Sequence, residues 1–419
     1  MQQELDFLAS LEFFGIKLGL NQTRELFRRL GDPQNKLRFV HVAGSNGKGS
    51  VCALLEQAFR SAGLKTGFYS SPHLVQVGER FRINGIPTAP VTVAQYVRRL
   101  LPAIQSMANE GMKVTYFEAT TALAACIFAD ANVNIVLWET GMGGRLDSTN
   151  IITPLASVIT GISLEHSERL GDTLGRIAFE KAGIIKENTP VFCASATPDE
   201  AKKVIADRAA ELHAPLTFSP QIVSVEQQEI PQIFTLTDGT RLATALAGPH
   251  QRENAALAYA VLQTVAPLLN IDPATAADGM KNTCWDARFQ VYPGRKLIMD
   301  AAHNPEGAQV LAATLREVRP GEKFHFIFGA FADKDTLAGL AALADLALSF
   351  RFVHMETGRT SKTGAELIAE LAAVAPGVPC DAMPLDDAIA AGYPDGAWRV
   401  LCGSIHLCGE AIPLLNDQK

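Results

Sequence analysis

The 419-residue sequence contains no apolar run approaching the roughly 20 residues that cross a bilayer, and no Lys/Arg stripe of the kind that tracks a phosphate backbone. A membrane or nucleic-acid partner is therefore not expected. Charged residues are 19% against 47% hydrophobic, and the net charge is -7, an ordinary balance for a globular protein and too apolar for a disordered one. The seven cysteines, at 52, 126, 193, 284, 380, 402 and 408, include no C-x-x-C pair and are odd in number, which points to reduced thiols. Cys52 and Cys126 fall within apolar helical patterns and read as small core residues. The first 20 residues carry Glu4, Asp6 and Glu12 among apolar positions, a pattern unlike a signal or transit peptide, so the expected location is the cytoplasm.

The length exceeds what one core usually supports, so two domains are expected. Short β-rich runs at 37–43, 133–139, 156–161, 296–301, 323–329 and 399–403 alternate with helical stretches, as in an α/β fold whose parallel sheet is covered on both faces. The stretch 222–246 breaks this rhythm and reads as a small antiparallel β layer, with a type I′ turn at Asp238-Gly239. Helices follow at 252–267 and 273–282. A fresh strand and helix series begins beyond Trp285, placing a boundary near 287–296: a first domain over 1–290 and a smaller Rossmann-like domain over 291–419.

The strongest motif follows the run 37–43. Gly44-Ser45-Asn46-Gly47-Lys48-Gly49-Ser50 leads directly into a helical stretch from Val51. Glycines free backbone N–H groups to face phosphate oxygens, the helix N-terminus adds positive potential, and Lys48 adds a point charge near the β and γ phosphates. ATP is the expected ligand of this cradle. It is a variant of the usual pattern, because Gly49 separates Lys48 from Ser50 and Val42 stands where the earlier glycine belongs.

That variant resembles the Mur ligase superfamily, and within it the folylpolyglutamate synthase and dihydrofolate synthase family. Further segments share the resemblance: Tyr69-Ser70-Ser71-Pro72-His73-Leu74 with Glu79-Arg80-Phe81-Arg82-Ile83-Asn84-Gly85; Trp138-Glu139-Thr140-Gly141-Met142-Gly143-Gly144-Arg145-Leu146-Asp147; Leu164-Glu165-His166; Glu180-Lys181-Ala182-Gly183-Ile184; Gly248-Pro249-His250-Gln251 with Asn254; Arg288-Phe289-Gln290; Asp300-Ala301-Ala302-His303-Asn304-Pro305; and Asp333-Lys334-Asp335. Family members more often carry Val where Thr140 stands and often Asp where Glu165 stands. Dihydrofolate synthases often have Asp in place of Lys17.

The resemblance implies an ATP-dependent amide ligase of the bacterial bifunctional type, joining L-glutamate to dihydropteroate and to the γ-carboxylate of folates through an acyl phosphate. It implies ATP, two Mg2+ ions per active site and a monovalent cation as cofactors, and a monomer. The phosphate loop with Asn254, Arg288 and Asp300 would bind ATP. Ser71, Glu139 and His166 would hold metal, and Lys181 would be carbamylated. The folate side would involve Gly15, Ile16, Lys17 and Leu18, then Thr115, Tyr116, Phe117 and Glu118, and Arg145, Leu146 and Asp147. His303 and Ser404 would orient glutamate, with His303 assisting its amine, so that Lys48, Lys181 and His303 form the catalytic set. Three alternatives stay open at this point: a single-activity member of the family, another Mur-type ligase, and a phosphate-loop ATPase switch that turns over ATP without glutamate.

Overall fold

The structure, a computed structural model, describes residues 1–15, 19–164, 167–356, 359–393 and 396–416. The chain forms two compact units. The first comprises Met1–Glu226, Ile233–Thr244 and Gln251–Thr283; the second comprises Gln227–Gln232, Ala245–His250 and Cys284–Lys419.

The first unit is built on an eight-stranded sheet: β1 (Phe39–Ala43), β2 (Thr66–Tyr69), β3 (Phe81–Ile83), β4 (Ile86–Pro87), β5 (Ile135–Glu139), β6 (Ala156–Ile159), β7 (Val191–Cys193) and β8 (Leu216–Phe218), in the order β4-β3-β2-β5-β1-β6-β7-β8. Strands from β2 to β8 run parallel, and β3 and β4 close one edge antiparallel. Every residue of β1 and β5 is buried, as apolar runs demand when helices cover both sheet faces. The helix Tyr116–Asp130 supplies part of that cover and packs Leu123, Cys126 and Phe128 into one cluster with Tyr69 and Trp138.

A three-stranded antiparallel sheet follows, β9 (Ile222–Gln227), β10 (Gln232–Leu236) and β11 (Arg241–Thr244). Its turn differs from the expected one. Type I′ needs positive φ at both central residues, yet here only Gly239 has it, at 82°, and Leu236 pairs with Thr240 across a three-residue loop. The two-residue geometry lies instead at Asn84 (φ 51°) and Gly85 (φ 77°), which join the paired Ile83 and Ile86.

The second unit holds a six-stranded sheet: β12 (Gln290–Tyr292), β13 (Leu297–Met299), β14 (Phe324–Phe328), β15 (Ala347–Phe352), β16 (Cys380–Ala382) and β17 (Trp398–Cys402), in the order β12-β13-β17-β14-β15-β16. All pairs are parallel except β12 with β13. Phe324, Phe326 and Phe350 are fully buried there. Each contributes roughly 1.5–3 kcal/mol. Exposed ion pairs such as Arg316–Asp345, 2.7 Å apart, contribute less than about 1 kcal/mol, so the aromatic core dominates. All seven cysteines are free thiols, and Cys52 and Cys126 are fully buried. Among the described residues no helix is long and apolar enough to cross a membrane.

Candidate active site

Adjacent parallel strands deliver their following loops to one sheet edge, the location where α/β folds bind ligands. In the first unit these are the loops after β2, β5, β1 and β6. They carry Ser71, Glu139 with the turn to Asp147, the phosphate loop, and residues 160–164.

The phosphate loop connects β1 to the helix Lys48–Ser61. Lys48 folds back so that Nζ donates to the carbonyls of Gly44 and Ser45 at 2.8 and 3.0 Å. The loop after β6 braces it. Ser45 N donates to Gly161 O at 2.8 Å, Ser45 Oγ and the backbone of Ser163 exchange two 3.0 Å bonds, and Thr160 Oγ1 donates to Asn46 O at 2.6 Å. Gly47 caps the helix at φ 87°, and a Cβ there would stand 2.6 Å from Asn254 Oδ1. Glycine is therefore required on both counts. Asn254 Nδ2 donates to Gln251 Oε1 at 3.0 Å, and Gln251 Nε2 donates to the buried Ser50 Oγ at 3.2 Å. The chain Ser50–Gln251–Asn254 thus ties the helix Pro249–Leu268 to the cradle.

Glu139 ends β5 and is 5% exposed. The turn after it is pinned by Asp147, whose Oδ2 accepts from Gly141 N (3.0 Å) and Met142 N (2.9 Å), while Oδ1 accepts from Thr149 N and Oγ1. Burial pushes the Asp147 carboxyl up, and these hydrogen bonds oppose that shift. Arg145 N donates to Glu180 O at 2.7 Å, and its exposed guanidinium pairs with Glu180. Lys181, on the helix Leu174–Ala182, is 1% exposed. Burial disfavours a charged amine, which is the condition that addition of CO2 requires.

On the aromatic side, Phe117 lies 6.0 Å from Tyr69, and the Arg80 guanidinium sits 5.1 Å above the Tyr116 ring. Thr115 and Glu118 are both buried, and their polar groups form a reciprocal cap on the helix Tyr116–Asp130. The loop 73–80 is organised by Glu79, whose carboxylate accepts from Leu74, Val75 and Gln76 N–H at 2.7–3.0 Å. Gly15 takes a left-handed φ of 64°, and Gly19 N donates to Leu146 O at 3.3 Å. Ile16, Lys17, Leu18 and His166 lie outside the described residues. Among the described residues, no group of three His, Cys, Asp or Glu side chains is placed to hold a metal.

In the second unit β13, β17 and β14 likewise end together. Asp300 N donates to Leu401 O, and Gly403 N to Ala302 O. A narrow pocket there is lined by His303, Asn304, Asp335, Thr336 and Gly403. His303 Nδ1 stands 3.0 Å from Ala301 O; a carbonyl only accepts, so Nδ1 carries the proton. Ser404 is 3% exposed and its Oγ accepts from His406 N. Asp300 accepts from Phe289 N (2.8 Å) and Ala302 N (2.9 Å); burial pushes its carboxyl up, against the neighbouring Arg288 charge and these amides. Arg288 is flanked by two left-handed residues, Ala287 (φ 56°) and Phe289 (φ 47°).

Two family models match the chain, the Mur ligase middle domain over residues 42–262 and the Mur ligase glutamate ligase domain over 287–403. A Bacillus subtilis protein named dihydrofolate synthase/folylpolyglutamate synthase is 34% identical over 83% of this chain and 84% of its own length. The chain belongs to the folylpolyglutamate synthase/dihydrofolate synthase family. Among solved structures of this family, the folylpolyglutamate synthase of Thermotoga maritima superposes with a TM-score of 0.87 at 28% identity, covering 100% of this chain and 98% of that one. E. coli FolC in complex with DHPP and ADP gives 0.86 at 28% identity, covering 99% and 98%.

The loops after β1, β2 and β5 bring the phosphate loop, Ser71 and Glu139 to one sheet edge, but some members of the family motifs have structural duties. Thr115 and Glu118 cap a helix, and Asp147 holds a turn. Gln251 links Ser50 to Asn254, and its spacing of three from Asn254 on one helix is the sequence signal for that contact. Thr160 and Ser163, which brace the phosphate loop, lie more than 100 residues away along the chain and carry no local signal.

Proposed function

We propose that this family member ligates L-glutamate to folate-type carboxylates at the expense of ATP, accepting both dihydropteroate and reduced folates. The reading rests on the phosphate cradle, whose lysine, glycines and helix N-terminus suit a nucleoside triphosphate, in a chain that matches the glutamate ligase domain of the Mur ligases. The name of the Bacillus subtilis relative joins both activities, and the E. coli structure pairs ADP with DHPP.

A carboxylate is a poor electrophile toward an amine, and phosphorylation gives its carbon a leaving group. Lys48 and the loop amides would offset charge on the transferring phosphoryl group. The hydroxyls of Ser50 and Ser71 and the carboxylate of Glu139 are hard oxygen donors and fit Mg2+, with His166 as a further ligand and Lys181, as its carbamate, in support. That ion would supply charge neutralisation at the phosphates. Asn254, Arg288 and Asp300 would contact the nucleotide. Tyr116, Phe117, Arg145 and Leu146 would face the pteroate moiety, whose flat rings suit aromatic stacking. In the second unit, Ser404 would orient glutamate. His303, protonated on Nδ1 when neutral, would accept the amine proton on Nε2 as the amide forms.

The test is product analysis by mass after incubation of pure protein with Mg-ATP and L-glutamate. A new amide from both dihydropteroate and tetrahydrofolate is expected. One product alone assigns a single activity, and none refutes the reading.

A further inference from the structure

His41 occupies the centre of β1, fully buried between Val40 and Val42. Its Nε2 lies 2.9 Å from Thr149 Oγ1, and Thr149 Oγ1 donates to Asp147 Oδ1. Thr149 is held in turn through its carbonyl, which accepts from Trp138 Nε1 at 3.0 Å. The hydroxyl has one proton. Asp147 also receives three backbone N–H groups, which favour its ionised form against the opposing effect of burial. The Thr149 proton is thereby committed to Asp147, and His41 must donate from Nε2. Its Nδ1, buried and without a hydrogen-bond partner, is then the bare nitrogen of a neutral ring. A second tie closes on the same segment. Asn150 Nδ2 donates to Arg145 O and Gly183 O, each at 3.0 Å, and Lys186 Nζ donates to Asn150 Oδ1 at 2.7 Å.

We propose that the buried chain His41–Thr149–Asp147 is a positioning device that sets affinity for the pteroate-bearing substrate by fixing the turn 141–146. The proposal rests on the functional reading above. None of the three side chains needs to touch the substrate. Asp147 acts through the amides of Gly141 and Met142, and the turn so held presents Arg145 and Leu146, while the phosphate loop is braced separately by residues 160–163. The device should therefore weigh on the folate side and not on ATP. Its parts are unmistakable only in three dimensions, since His41 and Thr149 are 108 positions apart.

The experiment compares Thr149→Val, which keeps shape but loses the hydroxyl, with Thr149→Ser, which retains it. Thr149→Val removes the bonds to both His41 and Asp147, and loss of the one that holds Asp147 is expected to raise KM for dihydropteroate and for tetrahydrofolate about tenfold while KM for ATP stays within about twofold. Thr149→Ser is expected to stay within about twofold of the parent throughout. Equal effects on ATP and folate, or a folded Thr149→Val protein with unchanged folate KM, would overturn the proposal. Should Thr149→Val fail to fold, 15N NMR of the histidine-labelled full chain decides: a neutral His41 protonated on Nε2 is expected, and protonation on Nδ1 overturns it. Failure of the functional reading looks different, because the parent protein itself would then form no glutamate-dependent product.

Discussion

Gly47→Ala probes the cradle at its tightest point. The left-handed φ of 87° would cost an alanine about 1–2 kcal/mol. The new Cβ would also stand 2.6 Å from Asn254 Oδ1, inside contact distance, so the Asn254 amide must move and its 3.0 Å bond to Gln251 Oε1 is strained or lost. That bond is worth about 1 kcal/mol. The sum, about 2–3 kcal/mol, should lower the thermal midpoint of the first unit by about 5–10 °C, and ADP affinity measured by calorimetry should fall at least about tenfold. The obstacle is one side chain, so the reasoning carries its own control. In an Asn254→Ala background the steric part disappears, and the stability cost of Gly47→Ala should shrink to the backbone part of about 1–2 kcal/mol. An unchanged midpoint in Gly47→Ala, or an equal cost in both backgrounds, would refute the packing argument.

Burial, with a smaller contribution from Lys186, holds the His41 imidazole down at about 3, against an ordinary value of 6.5. A base with a depressed folded value binds fewer protons folded than unfolded, so stability falls as pH drops from the ordinary value toward the folded one. His41→Gln, whose amide can still donate to Thr149, should remove about 2 kcal/mol of the stability difference between about pH 7 and 5, measured by urea titration at both pH values. Lys181→Met keeps an unbranched chain at a 1% exposed position and should fold while losing ligase activity at least about a hundredfold; 13C-bicarbonate should give a carbamate NMR signal in the parent that is missing in the variant. Thiol labelling of the native protein should modify Cys284 and Cys380, the two exposed cysteines, and reach the other five only after denaturation.

The phosphate cradle was legible because its signal is local: an apolar run, then glycines and lysine, then a helix. The six strands expected from apolar runs all form, since such runs must be buried on both faces of a parallel sheet. Strands of two to four residues, such as β4, β7 and β16, are too short to show any period and emerge only from their neighbours' pairing. The hairpin turn forms at Asp238-Gly239 as the dipeptide signals, but as a three-residue loop and not type I′, because loop length depends on strand register, which the dipeptide does not carry. Thr115 and Glu118 show a different loss. Their spacing is itself a capping-box signature, and the structure commits their polar atoms to that cap. The His41–Thr149–Asp147 chain could not be read at all, because a lone histidine in an apolar strand looks like any core residue until the neighbouring turn is placed beside it.

The central claim is that the ligase activates a carboxylate by phosphorylation instead of hydrolysing ATP to drive a partner. The direct measurement uses dihydropteroate or tetrahydrofolate with an 18O-labelled acceptor carboxylate, Mg-ATP and L-glutamate, and follows the label by mass spectrometry. Transfer of one labelled oxygen to inorganic phosphate for each amide formed is predicted, because the oxygen that attacks the γ-phosphorus leaves with it. Phosphate free of label, or ADP release that proceeds equally without glutamate and folate, would contradict the account.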